Sequence, residues 1–294
     1  MGGLKVLYRD QPVRLPGGKI GFITRPTIAP TEPRPIVLAL NTGVIHRIGH
    51  GRMYVTLARR LAAKGHSVLR FDLSGIGDSE KRSDSQSTTD GALADIREVM
   101  DWLEAAMPGT PVVLVGLCSG AQLAVMHGGI DTRVEAAVLL DPFIPRTPRF
   151  HVNYHVNYYV EKARRGLRNR SLWSGAGRIV RSAIARRSRR DAEAPVEPGP
   201  QLEDPSIRAE IERAYKAAID RRLKILMVLT GGMPRLHNYR RQLFDAFPNL
   251  RFGNLLKVEY WAATDHVFSH SEDRERLFNR IETWIDELDR PPAQ

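Results

Sequence analysis

The chain contains a single cysteine, Cys118, within Gly116-Leu117-Cys118-Ser119-Gly120. This pentapeptide directly follows the apolar run Pro111–Val115 and directly precedes the helical run Ala121–His127. Strand, tight turn and helix in that order make a nucleophile elbow, with cysteine at the central position where serine is commoner. The glycines have a physical reason, because in so tight a turn a Cβ at either flank would meet the neighbouring strand or helix. The turn lifts the central side chain above the sheet at the helix N-terminus, where the dipole and free N–H groups favour an anion and hence a thiolate. A buried structural cysteine is the plainer reading; the strand before and the helix after weigh against it. Ser119 lies one place off the glycine register, so its hydroxyl is expected to point elsewhere.

A nucleophile at such a turn needs a base. His266, in Thr264-Asp265-His266-Val267-Phe268, follows the last strand pattern and precedes the closing helix, the place a catalytic histidine takes in this chain order. His270 belongs to the helix start, and His237 precedes the last strand, so both rank below it. An orienting carboxylate is expected after the strand at Ile225–Leu229. The residues there are Thr230-Gly231-Gly232-Met233-Pro234-Arg235, with no acid before Asp245, which falls inside a helix. Asp141, in Val138-Leu139-Leu140-Asp141-Pro142, ends the preceding strand on the same face and can reach His266; an Asx-type turn before Pro142 is the other reading of it. Asp265 adjoins His266 and its side chain is expected to diverge. The oxyanion donors are expected to be the backbone N–H groups of Ser119 and of Val44, in Asn41-Thr42-Gly43-Val44. The glycine- and Asp-bearing stretch Phe71–Ser79 reads as a structural loop and lacks the lysine spacing of a phosphate-binding one.

These side chains need a scaffold, and the periodicity supplies one. Val6–Tyr8 and Ile20–Thr24 flank the turn-like Leu15-Pro16-Gly17-Gly18 and read as a hairpin. Ile36–Leu40 is a continuous apolar run, as a strand buried on both faces should be. Tyr54, Leu57, Ala58 and Leu61 follow helical spacing, with Gly65 placed to end that helix. Val68–Phe71, Pro111–Val115, Ala136–Leu140, Ile225–Leu229 and Leu255–Trp261 read as strands. Helices are predicted around Leu93–Leu103, Ile207–Arg221, Tyr239–Ala246 and Leu277–Leu288, the last with Ser269 or Ser271 as N-cap. Alternating strands and helices predict an α/β fold with a mostly parallel sheet and right-handed crossovers. The rhythm fails after Pro142, so the division is a sheet core over residues 1–143, an inserted basic cap with its linker over 144–206, and the rest of the core over 207–294.

The 294 residues carry 44 Lys and Arg against 33 Asp and Glu, a net charge of +11. Residues 146–190 hold 13 of those bases and one acid, Glu161, a net +12, so the rest of the chain nets −1. A positive cap over Cys118 suits a phosphate-bearing acyl donor, an acyl carrier protein or coenzyme A. An anionic membrane under a basic amphipathic helix bearing Leu172, Trp173, Ile179, Val180 and Ile184 is the second reading, and a merely soluble surface the third. Nucleic acid is not expected, since no recognised motif accompanies the charge. His46, Arg47, Tyr158 and Trp173 are expected to face the substrate. One cysteine excludes an internal disulfide and a Cys-rich zinc site, and neither a metal nor a cofactor is expected. No apolar run reaches the roughly 18 residues of a membrane span, and the charged N-terminal stretch is unlike a signal peptide. The expected location is cytoplasmic, with peripheral contact at the inner membrane face as an option.

On Cys118, His266 and the Arg70–Ser79 stretch between helix and elbow, the chain resembles the α/β-hydrolases, in their serine-aminopeptidase-like branch. It is most similar there to the hydrolases associated with the exosortase A system, a bacterial exopolysaccharide and protein-sorting context. Their Gly-Leu-Cys-Asp-Gly-Ala pattern is matched by Gly116-Leu117-Cys118-Ser119-Gly120-Ala121. Further similarities are Leu57-Ala58-Arg59 before Gly65, Gly77-Asp78-Ser79, Leu139-Leu140-Asp141-Pro142-Phe143, Tyr158-Tyr159 and Leu172-Trp173-Ser174-Gly175. The resemblance covers residues 36 to 180, and more loosely to 286. It implies an α/β-hydrolase fold with an inserted helical cap, and acyl transfer or hydrolysis by Cys118 and His266. The departure is the missing Asp after Leu229. A thiolate attacks thioesters and activated esters better than amides, so a thioesterase or acyltransferase with an acyl-cysteine intermediate is expected. The class-level alternative is a non-catalytic relative that binds an acyl carrier or membrane through the basic cap.

Overall fold

The computed structural model describes residues 7–156, 159–160 and 204–288. One sheet of eight strands runs through it in the order β1-β2-β4-β3-β5-β6-β7-β8. β1 (Tyr8–Leu15) and β2 (Lys19–Pro26) form the hairpin, turning through Pro16–Gly18, and β2 pairs antiparallel with β4 (Val68–Phe71). β3 (Ile36–Leu40), β5 (Val112–Leu117), β6 (Val134–Leu140), β7 (Lys224–Thr230) and β8 (Leu256–Trp261) continue the sheet from β4 in parallel. The first strand thus lies against the turn, over Tyr8–Leu15, and not over Val6–Tyr8 as expected. It is the sheet's edge, mostly exposed, so Arg9, Asp10, Gln11 and Arg14 sit in it without an apolar signature, and Pro12 is tolerated.

The helices are α1 (Met53–Ala63), α2 (Thr88–Ala106), α3 (Ser119–Gly128), α4 (Pro205–Asp220), α5 (Gln242–Ala246) and α6 (Ser271–Leu288). Local chemistry sets their ends. Gly65 takes φ +101 just beyond α1, a conformation that a Cβ disfavours. The Ser87 hydroxyl accepts from the Asp90 N–H at the start of α2, and Asp204 caps α4 ahead of Pro205. The central parallel strands β3 and β5 are apolar on both faces, and their alternate residues feed two cores. Leu38, Leu40, Leu114 and Leu139 pack on the side of α2, α3 and α4. Val37, Ala39, Val113 and Val115 pack on the side of α1 and α6. Burying each such side chain contributes roughly 1.5–3 kcal/mol, so the sheet's centre is the rigid part.

Beyond β6 the chain continues through Pro142 into helical residues 148–156. That segment is anchored to the loop after β7: the Asn238 side chain donates to the Phe150 carbonyl at 2.9 Å, and the Thr147 and Tyr239 hydroxyls lie 2.5 Å apart. Most of the expected cap, including Tyr158, Trp173 and the basic residues from Lys162 to Arg190, falls outside the described residues. Among those that are described, no helix is long and apolar enough to cross a membrane.

Candidate active site

Strand β5 ends at Leu117, and the chain reverses into α3 through Cys118 at φ 56, ψ −117. A non-glycine residue there stores strain of order 1–3 kcal/mol, and the surroundings enforce it. A Cβ on Gly116 would come within 2.2 Å of the Gly120 carbonyl, and one on Gly120 within 2.5 Å of the Asn41 carbonyl oxygen. The Leu117 N–H leaves the sheet ladder and donates to the Tyr54 hydroxyl at 3.1 Å, while the Cys118 N–H donates to the Leu140 carbonyl at 2.8 Å. Burial pushes the Tyr54 phenol up to about 12, against a smaller opposing effect of its Thr42 contact, so it stays protonated as a fixed prop beneath the turn. The thiol itself is half-buried.

His266 lies in the loop between β8 and α6. Its Nδ1 is 2.9 Å from Asp141 Oδ2, which leaves Nε2 for Cys118. Burial alone would lower the imidazolium, but the hydrogen bonds to Asp141 and to Cys118 outweigh it and raise His266 to about 9. Asp265 diverges as expected: it accepts from the N–H groups of Val267 and Ser269 and shapes the turn. At the mouth, burial and the charge of His266 lower His50.

Asp141 follows β6 at φ 45, almost fully buried. Its Oδ1 accepts from the Thr230 N–H at 2.6 Å, and its Oδ2 from the Thr230 hydroxyl at 2.6 Å as well as from His266. On the far side His237 Nδ1 stands 3.2 Å from Oδ1, and its Nε2 is 2.8 Å from the Pro142 carbonyl oxygen. Burial pushes the carboxyl up, but the contacts with His237, His266 and Thr230 prevail and hold it at about 2. The place where an acid was sought therefore holds the donors that fix one. Gly231 and Gly232 could not carry it, since a Cβ on either would come within 2.5 Å of the backbone in the His266 loop.

Two residues of this arrangement have no catalytic signature in sequence, Thr230 and Tyr54, and His237, weighed there as a lower-ranked base, instead flanks the carboxylate. A buried Tyr hydroxyl needs a partner, which was the one available hint for Tyr54.

Ser119 and the Gly43–Val44 turn, where the oxyanion donors were expected, meet beside Cys118. Ser119 opens α3, where N–H groups have no intrahelical partner. Its hydroxyl accepts from the Gly43 N–H at 2.7 Å, so this serine braces a loop. That bond occupies the Gly43 N–H, and Val44, the next residue, sits at the exposed tip of the Thr42–Ile45 turn. Arg47, expected to face the substrate, is engaged by the buried Asp72 and, at 2.8 Å, by Asp78. His46 is exposed, its Nδ1 3.5 Å from the Ile48 N–H. Asp72 also takes the Asn41 amide at 3.1 Å, so the Phe71–Ser79 stretch is a structural loop. Among the described residues no group of three or more His, Cys, Asp or Glu is arranged to hold a metal ion.

A mostly parallel sheet in this strand order, with a strained turn before α3 and an imidazole beyond the last strand, defines the α/β-hydrolase fold. The chain belongs to the alpha/beta hydrolase family, whose model matches residues 45–281. Among solved structures it is similar to an α/β serine hydrolase without lid from Xanthomonas campestris, at 13% identity and TM-score 0.56 over 99% of this chain and 98% of that one. An esterase from Pyrococcus furiosus is similar at 14% identity and TM-score 0.59, over 95% and 90% of the two chains. A dienelactone hydrolase from Anabaena variabilis is similar at 13% identity and TM-score 0.57, over 96% and 98%. At these identities the likeness is one of fold. The curated proteins contain no match.

Proposed function

We propose that this α/β-hydrolase works through a cysteine nucleophile on an ester or thioester, as a thioesterase or acyltransferase. The observation that carries the reading is the thiol at the strained elbow facing an imidazole whose other nitrogen bonds a buried carboxylate. At neutral pH His266 holds its proton, placed to pair with the thiolate form of Cys118 that makes the attack. The thiolate attacks the acyl carbon, and the carbonyl oxygen becomes an oxyanion met by the Ser119 N–H and the Gly43 loop. Collapse breaks the bond to the leaving thiol or alcohol, which takes its proton from His266 Nε2. Neutral His266 then draws a proton from water or an acceptor, which attacks the acyl-cysteine and restores thiolate and imidazolium. Asp141 holds the imidazole in the required tautomer throughout. The Xanthomonas neighbour is described as a serine hydrolase; a thiolate runs the same two-step logic and favours activated acyl groups.

The resemblance to exosortase-associated hydrolases supports the cysteine chemistry. The +12 of residues 146–190 supports a phosphate-bearing acyl donor, carried on an acyl carrier protein or coenzyme A. A thiol-reactive probe tests the nucleophile: the folded protein should label at Cys118 faster than free cysteine at neutral pH, and a thioester should leave an acyl mass on it. Labelling no faster than free cysteine, with no adduct, rejects the reading. Neutralising Arg186, Arg187, Arg189 and Arg190 should weaken carrier-linked substrates more than small thioesters; equal effects reject the docking role.

A further inference from the structure

A cavity of about 610 Å³ opens beside the elbow, between the Gly43–Val44 turn, the loop after β4, the first half of α2 and the first two turns of α3. Leu73 and Leu123 in its wall are buried; Ile76, Ala92, Met126 and Phe143 are half-buried and lean on the same core. Single exposed apolar residues are ordinary, whereas several left half open in one concavity mark a place for an apolar ligand. The charges deeper in the wall are already satisfied. Arg82 pairs with Asp84 at 2.6 Å and with Asp95 at 2.7 Å, and Asp95 also takes the Ser74 hydroxyl and the buried Lys19. The polar residues Gln86–Thr89 are exposed and form the rim.

Direction decides which part of a substrate belongs there. The proton donor for the leaving group is His266, and the carbonyl oxygen turns to the Ser119 N–H. The remaining substituent on the reacting carbon, the acyl chain, therefore points away from His266. The cavity wall includes Gly43 and Ser119 but no residue of β8 or of the His266 loop. We infer that this cavity receives the acyl chain of the substrate, an uncharged alkyl chain lying between α2 and α3, so that chain length is read by the body of the protein and not by the basic segment. The inference rests on the cysteine chemistry proposed above.

Ala92→Phe and Met126→Trp narrow the cavity from opposite helices, so a variant that fails to fold leaves the other to decide. In either, the ratio of kcat/KM for decanoyl over acetyl p-nitrophenyl ester should fall at least about tenfold. An unchanged ratio overturns the inference. Calorimetric binding of decanoate to Cys118→Ala protein reads the cavity without chemistry: binding should be lost when Ala92→Phe is added, and undiminished binding overturns the inference. Should neither ester acylate Cys118 in the wild-type protein, the cysteine reaction is rejected, and the decanoate measurement alone decides the cavity.

Discussion

Two carboxylates, Asp72 and Asp141, each follow a parallel strand at the same edge of the sheet, and both are almost fully buried. Each is surrounded by hydrogen-bond donors. Asp72 faces Arg47 and Asn41, groups that keep their protons at any working pH. Asp141 faces His266 and His237, the one side-chain type that gains and loses a proton near neutrality. A buried charge is a brace or a reaction component according to what it touches, and burial alone does not tell the two apart.

The widest separation between them should come from Asp141→Asn. Its amide cannot select the same imidazole tautomer, and kcat for a small thioester should fall about 10³–10⁴-fold. Asp72→Ala should instead act on the fold, losing about 3–5 kcal/mol of stability by denaturant titration because Arg47 is left with a broken buried pair. The pH dependence of its remaining activity should keep the wild-type shape. Thr230→Val removes one donor from Asp141 and should lower kcat by roughly tenfold, in line with about 1–3 kcal/mol for a buried group left unsatisfied.

The pH dependence tests the partner itself. His266 is raised to about 9, so its stabilising contact is complete below its unfolded value near 6.5 and disappears as pH rises through about 9. As the acid that protonates the leaving group, it should give a rate that declines over the same range in kcat/KM profiles. Asp141, depressed from 3.8 to about 2, contributes above pH 3.8 and loses that contribution as pH falls towards 2. A profile rising through pH 9 would remove the imidazolium from the mechanism.

The sheet was legible wherever burial on both faces left an unmixed apolar run, as at Ile36–Leu40. It was illegible at the exposed edge, where β1 carries polar residues that any loop could hold. At the site, the glycines around Cys118 were readable because close backbone approach leaves no room for a side chain at Gly116 or Gly120, and they mark the turn that Cys118 occupies. The bond between His266 and Asp141 was only one of two readings of Asp141, since reach across a sheet edge depends on the register of β6 against β7 and β8. Thr230 and His237 were not readable as supports, because a donor's worth depends on a carboxylate 89 or more residues away in the chain.

The hydrogen bond between His266 and Asp141 spans 125 residues, whereas Cys118 and Leu140 meet within a single strand–helix–strand unit. The two parts of the site therefore differ in when they can form. As the chain is synthesised from its N-terminus, the thiol and the carboxylate take their places one strand apart while the imidazole has yet to be made. On the proposed chemistry, Cys118 meets its base only when the last strand and helix close the sheet, so reactivity that depends on His266 arrives with completion of the fold.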